Sequence, residues 1–227
     1  MTGFQAQRLT MVESQLRPNE VTETRLLAAM RALPRERFVP WKLYPFAYMD
    51  EAIEVFPAID GAPARFLLAP MVLARLVQLA DVQPADRVLD IGCATGYSTA
   101  VLASLGAHVT GVEPEPELAG AARDRLRELG IANVAIVEGA LERGHPEDAP
   151  YDVIVVNGSV SKVPEALLAQ LIEGGRLAAI LSSGANQASQ GKAYRFVKVE
   201  GEASGQPHFD AGARPLPGFT PEPRFKF

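Results

Sequence analysis

From about residue 70 onward the chain alternates between short apolar runs and helix-length segments, and that alternation restricts the architecture more than any other feature. The runs are Val88 to Ile91, His108 to Val112, Asn133 to Val137, Tyr151 to Val156 and Arg176 to Leu181. Strands this uniformly β-branched or aliphatic have no wet face, so they predict a mostly parallel sheet with helices on both sides. The segment after Glu113 is the clearest of the helices. Leu118, Ala121, Ala122, Leu126 and Leu129 share one face, Arg123, Arg127 and Glu128 lie on the other, and Gly130 stops it. Pro70 opens another helix through Met71, Leu73, Leu76, Val77 and Leu79, ending near Pro84. Pro164 to Ile172 predicts a third, closed by Gly174-Gly175. Beyond Ser182 the alternation fails, and Tyr194 to Val199 followed by Gly201 to Gly205 predicts an antiparallel hairpin finishing the sheet.

The first part of the chain follows a different pattern. Asn19 is placed to cap a helix in which Leu26, Met30 and Leu33 recur on one face and which Pro34 ends. Phe38, Trp41, Tyr44, Phe46 and Tyr48 then lie in irregular chain punctuated by Pro40 and Pro45, with most of these rings expected in the core. The division expected is an N-terminal helical appendage with a substrate-side loop over residues 1–69, followed by a nucleotide-binding domain over residues 70–227. A chain of 227 residues, 48% of them hydrophobic, can bury a core for both.

A formal charge of -5 without a lysine- or arginine-rich block argues against nucleic acid as a partner, because phosphate neutralisation needs such a block. One cysteine cannot form an intrachain disulfide, Met1 to Thr10 lacks the apolar core of a signal peptide, and no run reaches the length of a membrane span. The expectation is a cytoplasmic protein without a membrane partner. It would be a monomer or homodimer.

Within the alternating region, Val88-Leu89-Asp90-Ile91-Gly92-Cys93-Ala94-Thr95-Gly96-Tyr97 describes a strand turning sharply into a helix through small residues. Such a turn lets backbone N–H groups approach a nucleotide. Glu113 ends the next apolar run, where a carboxylate can accept hydrogen bonds from both ribose hydroxyls. A dinucleotide fingerprint needs glycine where Tyr97 stands, which tells against a nicotinamide cofactor. The acid ahead of the glycine, with small residues at alternate positions after it, resembles motif I of class I S-adenosylmethionine (SAM) methyltransferases. That likeness implies their Rossmann-like α/β fold, with SAM as cofactor and S-adenosyl-L-homocysteine as product. Cys93 occupies a variable slot of the turn and is read as a small filler, not a nucleophile.

Further blocks carry the resemblance to one family. Met11-Val12-Glu13-Ser14-Gln15-Leu16-Arg17, Leu33-Pro34-Arg35-Glu36-Arg37-Phe38-Val39-Pro40, Ala47-Tyr48-Met49-Asp50, Ala149-Pro150-Tyr151-Asp152 and Gly174-Gly175-Arg176-Leu177 resemble, in order, the protein-L-isoaspartate O-methyltransferases, with Arg214-Pro215-Leu216-Pro217 following more loosely. The resemblance implies methyl transfer to a carboxylate of damaged aspartyl residues, hence a protein or peptide substrate. It implies cofactor contacts at Asp90, Gly92, Cys93, Ala94, Thr95, Gly96, Glu113 and Pro114, and at Gly139, Ala140 and Leu141 in the third cofactor motif; Asn157, a polar residue after the fourth strand, is a further candidate for the cofactor. Asp50, Asn157 and Ser159 are the candidates for contact with the acceptor. The residues suggest no metal site.

Two departures stand out. The family's Gly-Gln-Thr-Ile-Ser-Gln-Pro segment corresponds to the stretch from Gly61 to Pro70, where Phe66 and Leu68 stand in place of the Thr and Ser. A carboxylate acceptor is ionised at pH 7 and needs no general base, so those hydroxyls act by positioning. Their loss predicts either reduced isoaspartyl activity or a different acceptor, a small molecule included. The family's Gly-Asp-Gly is here Gly139-Ala140-Leu141, which leaves the adenine amine to water, a backbone carbonyl, Glu138 or Glu142. A catalytically decayed module that binds SAM or its product and recruits a protein is the alternative.

Overall fold

A computed structural model describes residues 3–59, 63–106, 108–182 and 190–219. In chain order the regular elements are α1 (Gly3–Met11), α2 (Thr24–Ala32), β1 (Ile53–Phe56), β2 (Arg65–Leu67), α3 (Pro70–Ala80), β3 (Arg87–Ile91), α4 (Tyr97–Ala103), β4 (His108–Glu113), α5 (Pro116–Glu128), β5 (Val134–Glu138), β6 (Tyr151–Val160), α6 (Glu165–Ala169), β7 (Leu171–Leu181), β8 (Gln190–Val199) and β9 (Glu202–Gly212). Strands β3 to β9 form one seven-stranded sheet in the order β5-β4-β3-β6-β7-β8-β9. The first five in that order are parallel, and β8 and β9 complete the sheet antiparallel. The expected Rossmann-like α/β sheet with an antiparallel C-terminal hairpin is therefore present. Chain direction across the sheet reverses between β3 and β6, which opens a crevice at their carboxyl ends.

The helices cover both faces because each has an apolar side to bury. Leu118, Ala119, Ala122 and Leu126 of α5 are buried, as are Val72, Leu73, Leu76 and Val77 of α3. One apolar cluster joins these to Met11, Val12, Leu16, Leu26, Met30 and Phe38 from the first forty residues. The N-terminal helices thus share the core of the sheet.

Several local expectations are corrected. Asn19 does not cap α2; its Nδ2 donates to the Gln15 carbonyl, and Glu23, next to the helix, accepts from the Leu26 amide. The helix expected over residues 164–172 is shorter, because Leu171 pairs with Tyr151 and starts β7. Sheet pairing outcompetes helix propensity there. Of the early rings, Phe38 and Tyr48 are buried, whereas Trp41 is 72% exposed and Phe46 is exposed as well. The β1–β2 hairpin, a two-stranded sheet separate from the large one, had no counterpart in the sequence pattern. No helix of the described residues is long and apolar enough to cross a membrane.

Candidate active site

The turn after β3 is built around glycine. Gly92 and Gly96 take φ of +76° and +93°, a region that a Cβ makes costly, and Ala94 joins them at +49°. A methyl on Gly96 would also meet the Ala122 Cβ at 3.1 Å, so this glycine allows α5 to pack against the turn. The Gly92 amide donates to the Val112 carbonyl at 2.9 Å, and the Gly96 amide to the Cys93 carbonyl at 2.8 Å. The first bond ties the turn to β4, and the second closes the turn on itself. Thr95 Oγ1 donates to the Phe38 carbonyl at 2.6 Å and ties it to the N-terminal segment.

Asp90 lies beneath the turn and is fully buried. Its Oδ2 accepts from Ser98 Oγ at 2.8 Å and Thr99 Oγ1 at 2.6 Å, while Oδ1 accepts from Asn157 Nδ2. Burial penalises the charged form more than these donors favour it, so the carboxyl is pushed up to about 6. Cys93 is buried too, and burial raises its thiol well above the ordinary range. That is an inert packing cysteine, in keeping with a filler role.

Glu113 ends β4 beside this turn, as expected, but it faces a partner that the motifs did not indicate. Arg65 of β2 donates to Glu113 from Nε at 3.1 Å and from Nη2 at 2.8 Å. The two side chains are 3% and 0% exposed, a fully desolvated bidentate pair. Glu113 Oε2 also accepts the Ala94 amide at 2.8 Å, and Oε1 faces the Glu115 amide at 3.5 Å. Both carboxylate oxygens are spoken for.

Leu216 closes the turn from the opposite side. Residues 213–219 run along the end of β6: the Ser159 amide donates to the Arg214 carbonyl at 2.9 Å and the Leu216 amide to the Ser159 carbonyl at 3.0 Å. Ser159 Oγ donates to the Ala213 carbonyl at 3.1 Å, and Ser161 Oγ to that of Phe219 at 3.3 Å. The Leu216 side chain sits on two glycines. A Cβ on Gly92 would meet its Cδ2 at 3.1 Å and Arg65 Nη2 at the same distance, and a Cβ on Gly158 would meet its Cγ at 2.5 Å. The cavity left among Phe66, Leu68, Gly92, Ser98 and Asn157 is about 10 Å³. That is room for one water at most. Asn157 Oδ1, buried at this place, accepts no hydrogen bond among the described residues. In this conformation the residues expected to hold an adenosyl cofactor present no free place for it: both oxygens of Glu113, the carboxylate expected at its ribose, are engaged, and Leu216 lies over Gly92.

The other expected residues are dispersed around this centre. Gly139 donates its amide to the Glu113 carbonyl at 3.3 Å, Ala140 precedes a single helical turn over Leu141–Arg143, and Leu141 is buried. Pro114 is half-buried beyond Glu113. Glu138 pairs with Arg123 at 2.9 Å, and the Glu142 carboxylate lies against Gly218. Asp50 Oδ1 accepts the Met71 amide at 2.9 Å, which caps the first turn of α3. Phe66 stacks under Arg214 at 5.0 Å, and Leu68 is buried. Gly61 and Ala62 of the same segment lie outside the described residues. Asn157 and Ser159 stand in β6, one holding Asp90 and the other holding the tail. Among the described residues, no group of three or more His, Cys, Asp and Glu side chains is disposed to hold a metal.

Arg35 was also absent from the sequence expectations as a structural group. It is wholly buried, and it donates to the carbonyls of Ala47 at 2.8 Å and Leu68 at 2.7 Å, joining the aromatic segment to the end of β2. The only signal for Arg65 was a single charge set directly before the apolar Phe66-Leu67-Leu68.

The chain is similar to several known proteins. Residues 7–206 match the family model described as protein-L-isoaspartate(D-aspartate) O-methyltransferase. A protein-L-isoaspartate O-methyltransferase of Koribacter versatilis is 38% identical over 177 residues, covering 78% of this chain and 77% of the relative. One from Rhodopseudomonas palustris is 41% identical over 180 residues, 79% of each chain. A solved protein-L-isoaspartate O-methyltransferase superposes with a TM-score of 0.78 at 28% identity; 93% of this chain covers 66% of it. A Plasmodium falciparum protein of that description, solved in complex with S-adenosyl-L-homocysteine, gives 0.72 over 95% of this chain and 99% of its own, and at 19% identity it speaks for the fold alone.

Proposed function

This chain belongs to the protein-L-isoaspartate(D-aspartate) O-methyltransferase family, whose members are SAM-dependent O-methyltransferases, and on that premise we propose that it methylates a protein or peptide acceptor other than the isoaspartyl carboxylate. Residues 70–227 form the cofactor side and residues 1–69 the acceptor side, in a cytoplasmic enzyme. The observation that carries the reading is the Asp90–Gly96 turn with Glu113 on the neighbouring strand, set at the crevice where the sheet reverses.

The altered acceptor is supported by the segment before α3. Phe66 and Leu68 present no hydroxyl, and the nearby hydroxyl of Ser159 is spent on the tail. A pair of oriented hydrogen bonds at about 1 kcal/mol each is worth roughly tenfold to thirtyfold in rate. Isoaspartyl peptide is accordingly a poor substrate.

The test is incubation with methyl-tritiated SAM and two acceptors, an isoaspartyl peptide and a cell lysate. Label entering lysate proteins at least tenfold faster than the peptide is the expected result. Equal or faster labelling of the peptide refutes the changed acceptor, and no labelling of either refutes the enzyme. The alternative of a non-catalytic module that recruits a protein is favoured by the buried Arg65–Glu113 pair. Turnover on either acceptor removes it.

A further inference from the structure

Arg65 and Leu216 come from distant parts of the chain and converge on the features that suit an adenosyl ligand. The guanidinium supplies two parallel N–H donors to Glu113, the same demand that a pair of ribose hydroxyls would satisfy. The Leu216 side chain supplies apolar volume on Gly92 and Gly158. We propose that β2 and the segment around Leu216 form an internal latch, a stand-in for the cofactor that must be displaced before SAM can enter. This inference rests on the methyltransferase reading above.

Three further observations support a displaceable element. The β1–β2 hairpin is hydrogen-bonded as a sheet of only two strands. Such a pair is marginal alone and is held by what it packs on. Its registered pairs, Ile53 with Leu67, Glu54 with Phe66 and Phe56 with Arg65, are interrupted by an irregularity between Glu54 and Phe56, next to the pair that carries Arg65. The hairpin and the tail are also joined, because the Arg214 guanidinium lies 5.0 Å over the Phe66 ring. Moving one loosens the other. Gly92 and the turn, by contrast, are fixed by the bonds of the Gly92 and Cys93 amides to the Val112 carbonyl of β4 and stay in place when the latch lifts.

A ligand that binds only the open form has its apparent affinity reduced by the open fraction. An open population of about one in a hundred weakens binding about a hundredfold, and variants that favour opening recover it. The experiment is calorimetric titration of S-adenosyl-L-homocysteine into the wild-type chain, Arg65→Gln and Leu216→Ala, with amide hydrogen exchange of the wild type with and without ligand. Both variants are expected to bind at least tenfold tighter than the wild type. Saturating ligand is expected to speed exchange at the Leu216 amide, whose bond to Ser159 would be lost. Arg65→Gln leaves Glu113 without its partner, so if that variant does not fold, Leu216→Ala and the exchange measurement decide. Wild type and Leu216→Ala binding equally tightly, with exchange at Leu216 unchanged, overturns the latch and leaves the methyltransferase standing. Folded variants that bind no ligand at millimolar concentration overturn both.

Discussion

Replacing Asp90 by Asn should remove a pH dependence that is built into the fold. Asp90 is wholly buried, and its carboxyl is pushed up to about 6 from an ordinary 3.8. A carboxyl raised on folding stabilises the native state most when both states hold the proton, below the unfolded value, and that stability is lost as pH rises through the folded value. The difference of about two units corresponds to about 3 kcal/mol, of which about 2 to 3 falls between pH 4 and 7. Asn at this position keeps the shape and cannot ionise. Its carbonyl can accept from Ser98 and Thr99, and its amide can donate to Asn157 once that side chain turns its unpartnered Oδ1 inward. The variant should therefore fold. Urea unfolding of both proteins from pH 4 to 7 is the assay, read as wild-type stability minus variant stability. That difference should fall by about 2 to 3 kcal/mol as pH rises. A flat difference, or one that grows with pH, would show that the three donors outweigh burial and that Asp90 ionises normally in the folded protein.

Other substitutions probe the frame around the turn. Gly96→Ala places a Cβ at φ +93° and against Ala122; a left-handed alanine costs about 1–2 kcal/mol and overpacking about 1–3 more, so the urea midpoint should drop sharply, and an unchanged midpoint would mean that α5 can withdraw freely. Asp50→Ala removes the acceptor for the Met71 amide at the start of α3. The expected loss is about 1 kcal/mol, seen as a lower midpoint, and a loss confined to substrate KM at constant stability would instead place Asp50 on the acceptor.

The proposed latch sets side chains of this chain where the cofactor is expected. Leu216 occupies the space that a side chain at Gly92 or Gly158 would need. Removing either member of the Arg65–Glu113 pair strands a buried charge. Any opening must therefore bring water or a ligand to both groups together.

What the residue order determined by itself is local and periodic. The apolar runs specified buried strands, the turn from Gly92 to Gly96 specified where the chain bends, and Glu113 had to end its strand beside that bend, because these depend on neighbours a few positions apart and on the handedness of strand–helix–strand connections. The partner of each polar group was decided only by the tertiary structure. Arg65 reaches Glu113 across 48 positions, Asn157 reaches Asp90 across 67, and Asp50 caps a helix 21 residues away. Side-chain pairing of that kind follows from which surfaces are desolvated together. No pattern of residue types along a chain encodes it, since a lone arginine before an apolar run reads the same whether it faces water or a buried carboxylate.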